Sequence, residues 1–243
     1  MSSSQDTLAR PYSYVGTELD LFAEARHWKR YFRSAFADRL VGDVLEVGAG
    51  IGETARHLLD GRQRSWLCLE PDERLATRLR DWAAGGSVAP RPTVQIGTTL
   101  DVNPRSRFDT ILYIDVLEHI EDDRGEMSRA AELLAPRGTL IVLSPAFQLL
   151  FSEFDRSVGH YRRYTRASLA AVMPASLRQV RLRYIDSVGF MASLANRALL
   201  RQELPSRRQI ALWDRVMIPV SRVLDPLLVH SFGRSVVAVY ERV

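Results

Sequence analysis

The sequence contains almost no cysteine or lysine and no long hydrophobic run. Cys68 is the only cysteine among 243 residues, so neither a disulfide within the chain nor a multi-cysteine metal centre is expected, and a reducing cytoplasmic location fits. Arg or Asp interrupts every apolar stretch before it reaches the ~18 residues that a membrane-spanning helix needs. The first residues, MSSSQD, lack the basic and apolar segments of a secretory signal. We therefore expect neither export nor stable membrane insertion.

Clustered positive charge is also scarce. The formal net charge is +4, but Lys29 is the only lysine, and the arginines are scattered among acidic residues. A nucleic-acid-binding protein usually carries a basic stripe with interleaved aromatic residues, and only YRRY at 161–164 approaches that pattern. Nucleic acid is therefore not an expected partner.

Ordinary globular composition and a regular alternation of patterns predict one α/β domain. Hydrophobic residues make up 46% of the chain, enough for a real core. Short β-branched or aromatic runs alternate with helical patterns, the order that builds a parallel sheet covered on both faces. Strands are predicted at 44–47, 66–70, 93–96, 110–115 and 139–144, and helices at 19–39, 53–59, 72–84 and 121–134.

The pattern changes after Ser144. We predict an aromatic loop at 145–165, a helix near 166–172, a strand near 180–185, a helical insert at 190–233 and a last strand at 235–242. Residues 1–40 are predicted to form an N-terminal cap or lid of helices, and 41–243 the main domain. The insert is the least regular part of the sequence.

A glycine-rich turn follows the first predicted strand. Residues 44–52 read VLEVGAGIG, which places Gly48, Gly50 and Gly52 between a buried run and the start of a helix. Glycines let the backbone pass close to a ligand. Dinucleotide-binding folds space them as GxGxxG to seat a pyrophosphate, whereas here the third glycine comes one residue early. S-adenosylmethionine (SAM) has no pyrophosphate, and Glu46 could favour its ammonium group. A plain strand-to-helix turn is the alternative.

An acid at the end of the second strand strengthens this interpretation. Glu70 follows the glycines by about 20 residues, where doubly wound folds place a carboxylate that binds both ribose hydroxyls. A solvated acid at a strand end is the alternative. Asp72 is better explained as the N-cap of the helix that follows.

Two further loops lie at the same expected edge of the sheet. Thr99 and Leu100 follow the third strand, from where a loop can reach an adenine ring. Asp115 ends the fourth predicted strand and His119 follows it, at the carboxyl edge where ligands of such sheets bind. For Asp115 we favour a role beside the cofactor over a surface role. For His119, a structural hydrogen bond and a direct cofactor or acid–base role stay open.

Taken in order, the segments VLEVGAGIG, LEPD, DVLEHI and LAPRGTL resemble the motifs of class I SAM-dependent methyltransferases, in particular the small-molecule group called types 11 and 12. The resemblance covers about residues 44–144. It implies a Rossmann-like, seven-stranded doubly wound sheet whose last strand is antiparallel, methyl transfer without a metal, and S-adenosylhomocysteine as product. The cofactor shell that it implies consists of Gly48, Ala49, Gly50, Glu70, Pro71, Leu100, Asp115, Val116 and His119. DRSVGHYRRYT at 155–165 is similar to a bacterial subgroup whose acceptor is often unassigned.

The segment after Ser144 carries the candidates for acceptor chemistry. If the acceptor is a hydroxyl or an acidic carbon, a base must remove its proton, and histidine suits that task near neutral pH. His160 is the first catalytic candidate, with His119 as the second, although His160 could instead brace the loop by hydrogen bonds. Candidate acceptor-binding residues are Phe147, Tyr161, Arg162 and Arg163.

Aromatic residues before the domain could close over the cofactor. Tyr12, Tyr14 and Trp28 are candidates, because an aromatic face against a cationic sulfonium is favourable. Hydrophobic packing is the alternative for all three.

The sequence motifs say less about the substrate class than about the cofactor. The leading hypothesis is an enzyme that methylates O, N or C of a small organic acceptor, such as a natural-product, sugar or lipid-linked intermediate. A nucleic-acid or protein methyltransferase, or a SAM-binding scaffold without transfer activity, are alternatives. Arginines flank apolar faces in the insert, so transient contact with a membrane surface is a further hypothesis. A homodimer stays open.

Overall fold

A mixed sheet forms the centre of the computed structural model, which describes residues 13–16, 19–85, 88–199 and 206–243. Its strands are β1 (Gly42–Val47), β2 (Gln63–Glu70), β3 (Thr93–Ile96), β4 (Phe108–Ile114), β5 (Leu134–Pro145), β6 (Leu177–Ile185) and β7 (Ser235–Arg242). The strand order is β3-β2-β1-β4-β5-β7-β6, and β7 runs antiparallel to both of its neighbours. The predicted seven-stranded, Rossmann-like sheet is confirmed.

Helices cover both faces of this sheet. They are α1 (Leu19–Phe22), α2 (Arg26–Ser34), α3 (Glu53–Leu58), α4 (Glu73–Gly85), α5 (Asp123–Leu133), α6 (Glu153–Ser157), α7 (Arg166–Ala171), α8 (Ser187–Leu199), α9 (Arg207–Leu212) and α10 (Ile218–Leu227). A π-helical turn, Trp213–Met217, joins α9 to α10. On one face α2 packs with Val44 and Cys68, and on the other α5 packs with Leu45 and Val47. A parallel sheet needs this cover, because its strands are apolar on both sides.

The N-terminal region differs from the prediction of one helix over 19–39. The structure has α1, a break, α2 and a 3-10 turn at Ala37–Arg39. Lys29 explains the break, since its ammonium group donates to the carbonyl oxygens of Ala23 at 2.6 Å and Phe22 at 3.3 Å. Carbonyls at a helix end need such a partner. Trp28, Tyr31 and other residues of α2 belong to the main hydrophobic core, and the division into a cap at 1–40 and a domain at 41–243 stays a prediction.

Buried aspartates attach the helical insert to the rest of the domain. Asp225 accepts hydrogen bonds from Tyr31 Oη at 2.5 Å and from the backbone of Asp186 at 2.6 Å. Asp214 accepts one from the backbone N–H of Trp28 at 2.8 Å. Buried carboxylates must be paired in this way. The acids of the π-helical turn and of α10 therefore point inward, towards α2 and the end of β6.

The order of the strands determines where a ligand can bind. Chain connectivity reverses direction between β1 and β4, which lie side by side. In open α/β sheets ligands bind in the crevice at the carboxyl ends of strands at such a point. Among the described residues, no helix is both long and apolar enough to cross a membrane.

Candidate active site

Two adjoining cavities open at the carboxyl ends of β1, β2 and β4. The first has a volume of about 360 Å³ and is lined by Glu70, Pro71, Thr99, Leu100 and Val116, among others, so we call it the donor-side cavity after the residues expected to bind the methyl donor. The second measures about 230 Å³, and we call it the acceptor-side cavity because its lining includes Trp28, Ala49 and the expected acceptor-side residues His160 and Arg163. Both cavities share Tyr14, Leu19, Gly48, Gly50, Asp115 and His119. They therefore form two halves of one cleft.

The glycine turn forms the floor of that cleft. Gly48 has a φ of +65°, and a Cβ built on it would lie 2.6 Å from Val116 Cγ2. Gly50 also has a positive φ, +56°. Side chains at both positions would be strained, and one at Gly48 would collide with its neighbour. The backbone is thus held close to the ligand space.

Glu70 holds the glycine turn and lines the donor-side cavity. Its Oε2 accepts the backbone N–H of Gly50 at 2.8 Å, and its Oε1 accepts that of Asp72 at 2.9 Å. Burial raises the pKa of this carboxyl group, and the two backbone hydrogen bonds oppose that shift. Each carboxylate oxygen has a second lone pair, so both retain capacity for one more donor.

Asp72 links the N-terminal segment to the same strand end. It accepts hydrogen bonds from the backbone N–H of Tyr14 at 2.8 Å and from that of Arg74 at 2.8 Å. Burial acts to raise its pKa, but these bonds and the Arg74 side chain outweigh it and lower the pKa to about 2. The prediction that Asp72 caps α4 is confirmed, and Asp72 also holds Tyr14 against the cleft. Tyr12 lies outside the described residues.

Asp115 and His119 stand where the two cavities meet. Asp115 is accessible from the cleft but surrounded by protein, which raises its pKa to about 6, although a proton on His160 and the charge of Arg234 act to lower it. Burial, together with the neighbouring His160, lowers the pKa of His119 to about 4. The rings of His119 and Tyr14 meet edge to face at 5.7 Å. At neutral pH this part of the cleft therefore has an anionic Asp115 and a neutral imidazole.

A buried charged cluster surrounds His160 on the acceptor side. Asp155 is fully buried, and its Oδ1 lies 2.8 Å from His160 Nδ1. Arg163 donates to both oxygens of Asp155, at 2.8 and 2.9 Å. Burial opposes ionisation of Asp155, but the bonds from His160 and Arg163 prevail and hold its pKa well below the usual range. A carboxylate can only accept, so Nδ1 carries a proton, and in the neutral imidazole Nε2 is then the acceptor.

Glu118 lies beneath this cluster with one oxygen unsatisfied. Its Oε2 accepts the Ser144 hydroxyl at 3.0 Å, whereas its buried Oε1 has no hydrogen-bond partner among the described residues. Oε1 is 3.9 Å from His160 Nε2. One potential ligand atom each from Glu118, His119 and His160 lie within 4.8 Å of one another. Two imidazoles and one carboxylate could hold a divalent cation. The expectation of methyl transfer without a metal therefore stays untested.

The structure does not bring Glu46 to the cleft. It lines neither cavity, and its buried carboxylate accepts Trp66 Nε1 at 2.8 Å and contacts Cys68 Sγ at 3.6 Å. Burial raises the pKa of Glu46 to about 7, although both contacts act to lower it. Glu46 was expected to contact the ammonium group of the cofactor, but its carboxylate is instead bonded to side chains of the neighbouring strand. Every other residue expected in the cofactor shell lines the cleft.

Of the expected acceptor-binding residues, only Arg163 reaches the acceptor-side cavity. Tyr161 is 52% exposed. Arg162 points away, because it pairs with Asp123 at 2.6 Å. Phe147 packs against Tyr184, with ring centroids 4.6 Å apart. His160 and Arg163 line the cavity, so the side chains of 160–163 divide between the cleft and the outer surface.

Sequence reasoning missed two cations at the acceptor-side cavity. Lys29 is 7% exposed and pairs with Glu53 at 3.0 Å, and both residues line this cavity. Arg234 also lines it, with its guanidinium 5.0 Å from the centre of the Trp213 ring. Burial lowers the pKa of both basic groups. The isolation of Lys29 as the sole lysine was the only sequence signal, and nothing local distinguished Arg234 from the other arginines.

A family model described as a methyltransferase domain matches residues 20–176, well over half of the chain. This chain belongs to the class I methyltransferase family. The matched segment contains the glycine turn, Glu70, Asp115 and the His160 cluster, so the family match and the cleft coincide. The resemblance inferred from the sequence motifs is confirmed.

Individual relatives of this class I chain are distant. Ajmaline N-methyltransferase from Rauvolfia serpentina is 26% identical over 187 residues, which cover 75% of this chain and 58% of that protein. Tocopherol O-methyltransferase from Arabidopsis thaliana is 27% identical over 110 residues, covering 44% of this chain and 31% of that protein. The chain therefore spans less than two thirds of these curated relatives.

A solved structure agrees with the fold. The N-methyltransferase NodS from Bradyrhizobium japonicum, in complex with S-adenosylhomocysteine, superposes with a TM-score of 0.54 at 16% identity and covers 91% of this chain and 87% of its own. Identity this low supports the fold alone. Substrate and activity must be argued from the cleft.

Proposed function

We propose that this protein is a SAM-dependent methyltransferase that acts on a small, largely apolar organic acceptor. The observation that carries the proposal is the contact between Glu70 and the backbone of Gly50 at the floor of a two-part cleft. It joins the predicted ribose acid to the glycine turn in one rigid unit. The family to which the chain belongs supports the same reaction class.

The donor-side cavity fits the adenosine half of SAM. Glu70 already accepts two backbone N–H groups and can accept one ribose hydroxyl on each oxygen. Such charge-assisted bonds are stronger than neutral ones. The loop with Thr99 and Leu100 lies at the far end of this cavity, and the exposed Leu100 offers an apolar surface for a flat ring. Thr99 is fixed by its hydrogen bond to Glu126 at 2.8 Å.

The junction of the two cavities suits the positively charged end. When bound, SAM supplies an electrophilic methyl group on a sulfonium centre. Asp115 lends negative charge there, and His119 stays neutral at pH 7 because its pKa is about 4. A neutral imidazole avoids repulsion with a cation, and the Tyr14 ring beside it offers an aromatic face. The chain's own residues thus favour a cation at this junction.

The cluster around His160 supplies a base on the acceptor side. The carboxylate of Asp155 keeps the proton on Nδ1, and Arg163 holds that carboxylate in place. His160 Nε2 would take the acceptor's proton as the acceptor atom bonds to the methyl carbon and the bond from that carbon to sulfur breaks, which leaves S-adenosylhomocysteine. The resulting imidazolium is stabilised by Asp155, the arrangement that orients general-base histidines elsewhere. Methyl transfer otherwise requires mainly correct positioning of the reactants.

The lining of the acceptor-side cavity suggests the acceptor class. Aromatic side chains surround it, including Phe22, Trp28, Phe32, Phe154 and Trp213. Such walls recognise a ring or hydrocarbon skeleton by burial, while a few polar groups set its orientation. The names of the two curated relatives, ajmaline N-methyltransferase and tocopherol O-methyltransferase, agree with an organic acceptor of this kind.

Calorimetry with SAM and S-adenosylhomocysteine tests the donor site. In Glu70→Gln an amide N–H₂ must face one of the two backbone N–H donors, so we expect a loss of about 10- to 100-fold in affinity for both ligands. Glu73→Gln is the matched control, because Glu73 is exposed and three residues away. It should bind like the wild type.

Two outcomes would overturn the proposal at different points. No binding of either ligand by the wild-type chain would reject SAM as donor. Tight binding without transfer from labelled SAM to any member of a broad panel of phenols, amines and acidic carbon compounds would instead favour a SAM-binding scaffold. Unaltered affinity in Glu70→Gln would reject the ribose assignment alone.

A further inference from the structure

The outer face of the α9–α10 segment is apolar and basic, with nothing packed on it in the part of the chain that the structure describes. Leu212, Val216, Val220, Val223 and Leu227 follow one another at intervals of four, four, three and four residues, and each is between 43% and 75% exposed. That spacing places them along one line on a helix. We call these five side chains the outer stripe.

A row of arginines accompanies the outer stripe. Arg208, Arg215 and Arg222 are exposed and recur at intervals of seven residues, so they also share a face. None of them forms an ion pair with any described residue, whereas nearby Arg207 lies 3.6 Å from Glu24. We call these three side chains the arginine row.

No acid balances this charge within 206–229. Asp214 and Asp225 are the acidic residues of that range, and both are at most 4% exposed. Their carboxylates bind the backbone of Trp28 and of Asp186 on the inner side of the helices. The outer face therefore offers only positive charge and hydrocarbon.

We infer that this face binds the surface of a membrane containing anionic phospholipids. Some helices have an apolar face flanked by arginines and no acidic residue on their exposed side. Such a helix binds at the membrane surface, in the interface between headgroups and acyl chains. The arginine row would meet lipid phosphates, and the outer stripe would enter the boundary of the acyl chains. The binding is peripheral and independent of methyl transfer.

The geometry is less suited to a second copy of this chain. A two-fold contact through the same face would set each arginine row against another basic surface, without any carboxylate between them. An anionic lipid surface supplies the missing negative charge at high density. Charge complementarity therefore favours lipid.

The segment that carries the outer stripe also lies beside the acceptor-side cavity. The inner side of the same segment carries Trp213, which lines the acceptor-side cavity. A surface bound to the outer stripe would lie about one helix diameter, ~10 Å, from that cavity. An acceptor dissolved in or anchored to the membrane would then have a short path to the cleft.

Vesicle co-sedimentation of the full-length protein tests the inference. Wild type should pellet with vesicles of equal parts phosphatidylglycerol and phosphatidylcholine, and far less with phosphatidylcholine alone. Replacing the arginine row (Arg208→Gln, Arg215→Gln, Arg222→Gln) should lower the partition coefficient on the order of a hundredfold. Replacing Val216, Val223 and Leu227 by Ser should lower it by at least tenfold, even at low salt.

A matched control removes the same charge elsewhere. Arg80, Arg105 and Arg124 are exposed residues outside this segment, and their triple Gln variant should keep wild-type partition. Equal loss in the control would overturn the inference, since any reduction in net charge would then suffice. Failure of the wild type to pellet, or equal pelleting with phosphatidylcholine alone, would overturn it as well. A dimer that dissociates on replacement of the stripe, without vesicle binding, would assign the face to a second copy instead. The melting temperature of each variant is measured, and only variants that melt at the same temperature as the wild type are compared.

Discussion

Acidification should destabilise this protein through His119. The folded chain holds its pKa at about 4, below the ordinary value of 6.5, because burial and the neighbouring His160 disfavour the charged ring. The unfolded chain therefore binds a proton at higher pH than the folded chain does. Stability from the neutral ring is fully present above pH 6.5, and it is lost as pH falls through the window down to about 4.

The size of the effect follows from the width of that window. A shift of one pKa unit corresponds to about 1.4 kcal/mol of unfolding free energy, and proton binding at pH 5 is nearly complete in the unfolded chain but slight in the folded one. The expected loss from this one residue between pH 8 and pH 5 is thus about 2 kcal/mol. That is a large part of the free energy of unfolding of an ordinary domain.

Urea unfolding of wild type and His119→Gln at pH 8 and pH 5 measures the effect. The difference between the proteins at pH 8 reports the packing that the substitution changes, so subtracting it isolates the proton. We expect the wild type to lose about 2 kcal/mol more than the variant on acidification. Parallel loss of stability in the two proteins would refute the assignment of a buried neutral imidazole.

Two further predictions concern the acceptor side. Asp155→Asn should lower kcat by about 10²-fold or more with little change in SAM affinity, because an amide N–H₂ facing Nδ1 reverses the tautomer of His160; Glu153→Gln, an exposed acid of the same helix, is the control and should retain wild-type kcat. Treatment with a chelator should leave kcat unchanged, since His160 Nε2 cannot bind a cation and accept a proton at once. A fall in kcat that Mg²⁺, Mn²⁺ or Zn²⁺ restores would assign Glu118, His119 and His160 to a metal instead.

The donor half of the cleft was accessible to sequence reasoning because its geometry is local. Gly48 and Gly50 occupy one turn, and Glu70 ends the adjacent strand, so strand order alone brings them together. The contact between Gly50 N and Glu70 Oε2 at 2.8 Å is a consequence of that order. Short apolar strands with glycine or acid at their carboxyl ends carry enough information to predict such a site.

Glu46 shows where that reasoning fails. In a sheet exposed on one side, alternation of polar and apolar residues reveals which way a side chain points. Here both faces of β1 are covered, so Val44 and Leu45 are equally buried on opposite sides. Glu46 lies beside Cys68 in the neighbouring strand and shares the face of Val44. A buried Trp66 supplies its hydrogen bond, and nothing in the sequence marks that partner.

The acceptor side required contacts that no local pattern contains. Within 155–163 the backbone of Tyr161 donates to Glu118 O at 2.8 Å, and Arg162 pairs outward with Asp123. These two anchors turn His160 and Arg163 towards Asp155 and the cleft. The aromatic and basic composition identified the segment, but its long-range anchors decide which of its side chains face the acceptor. Because the Glu118 anchor is a backbone carbonyl and the Asp123 anchor is a side chain, acceptor specificity is expected to change with Asp123 as well as with the cavity lining.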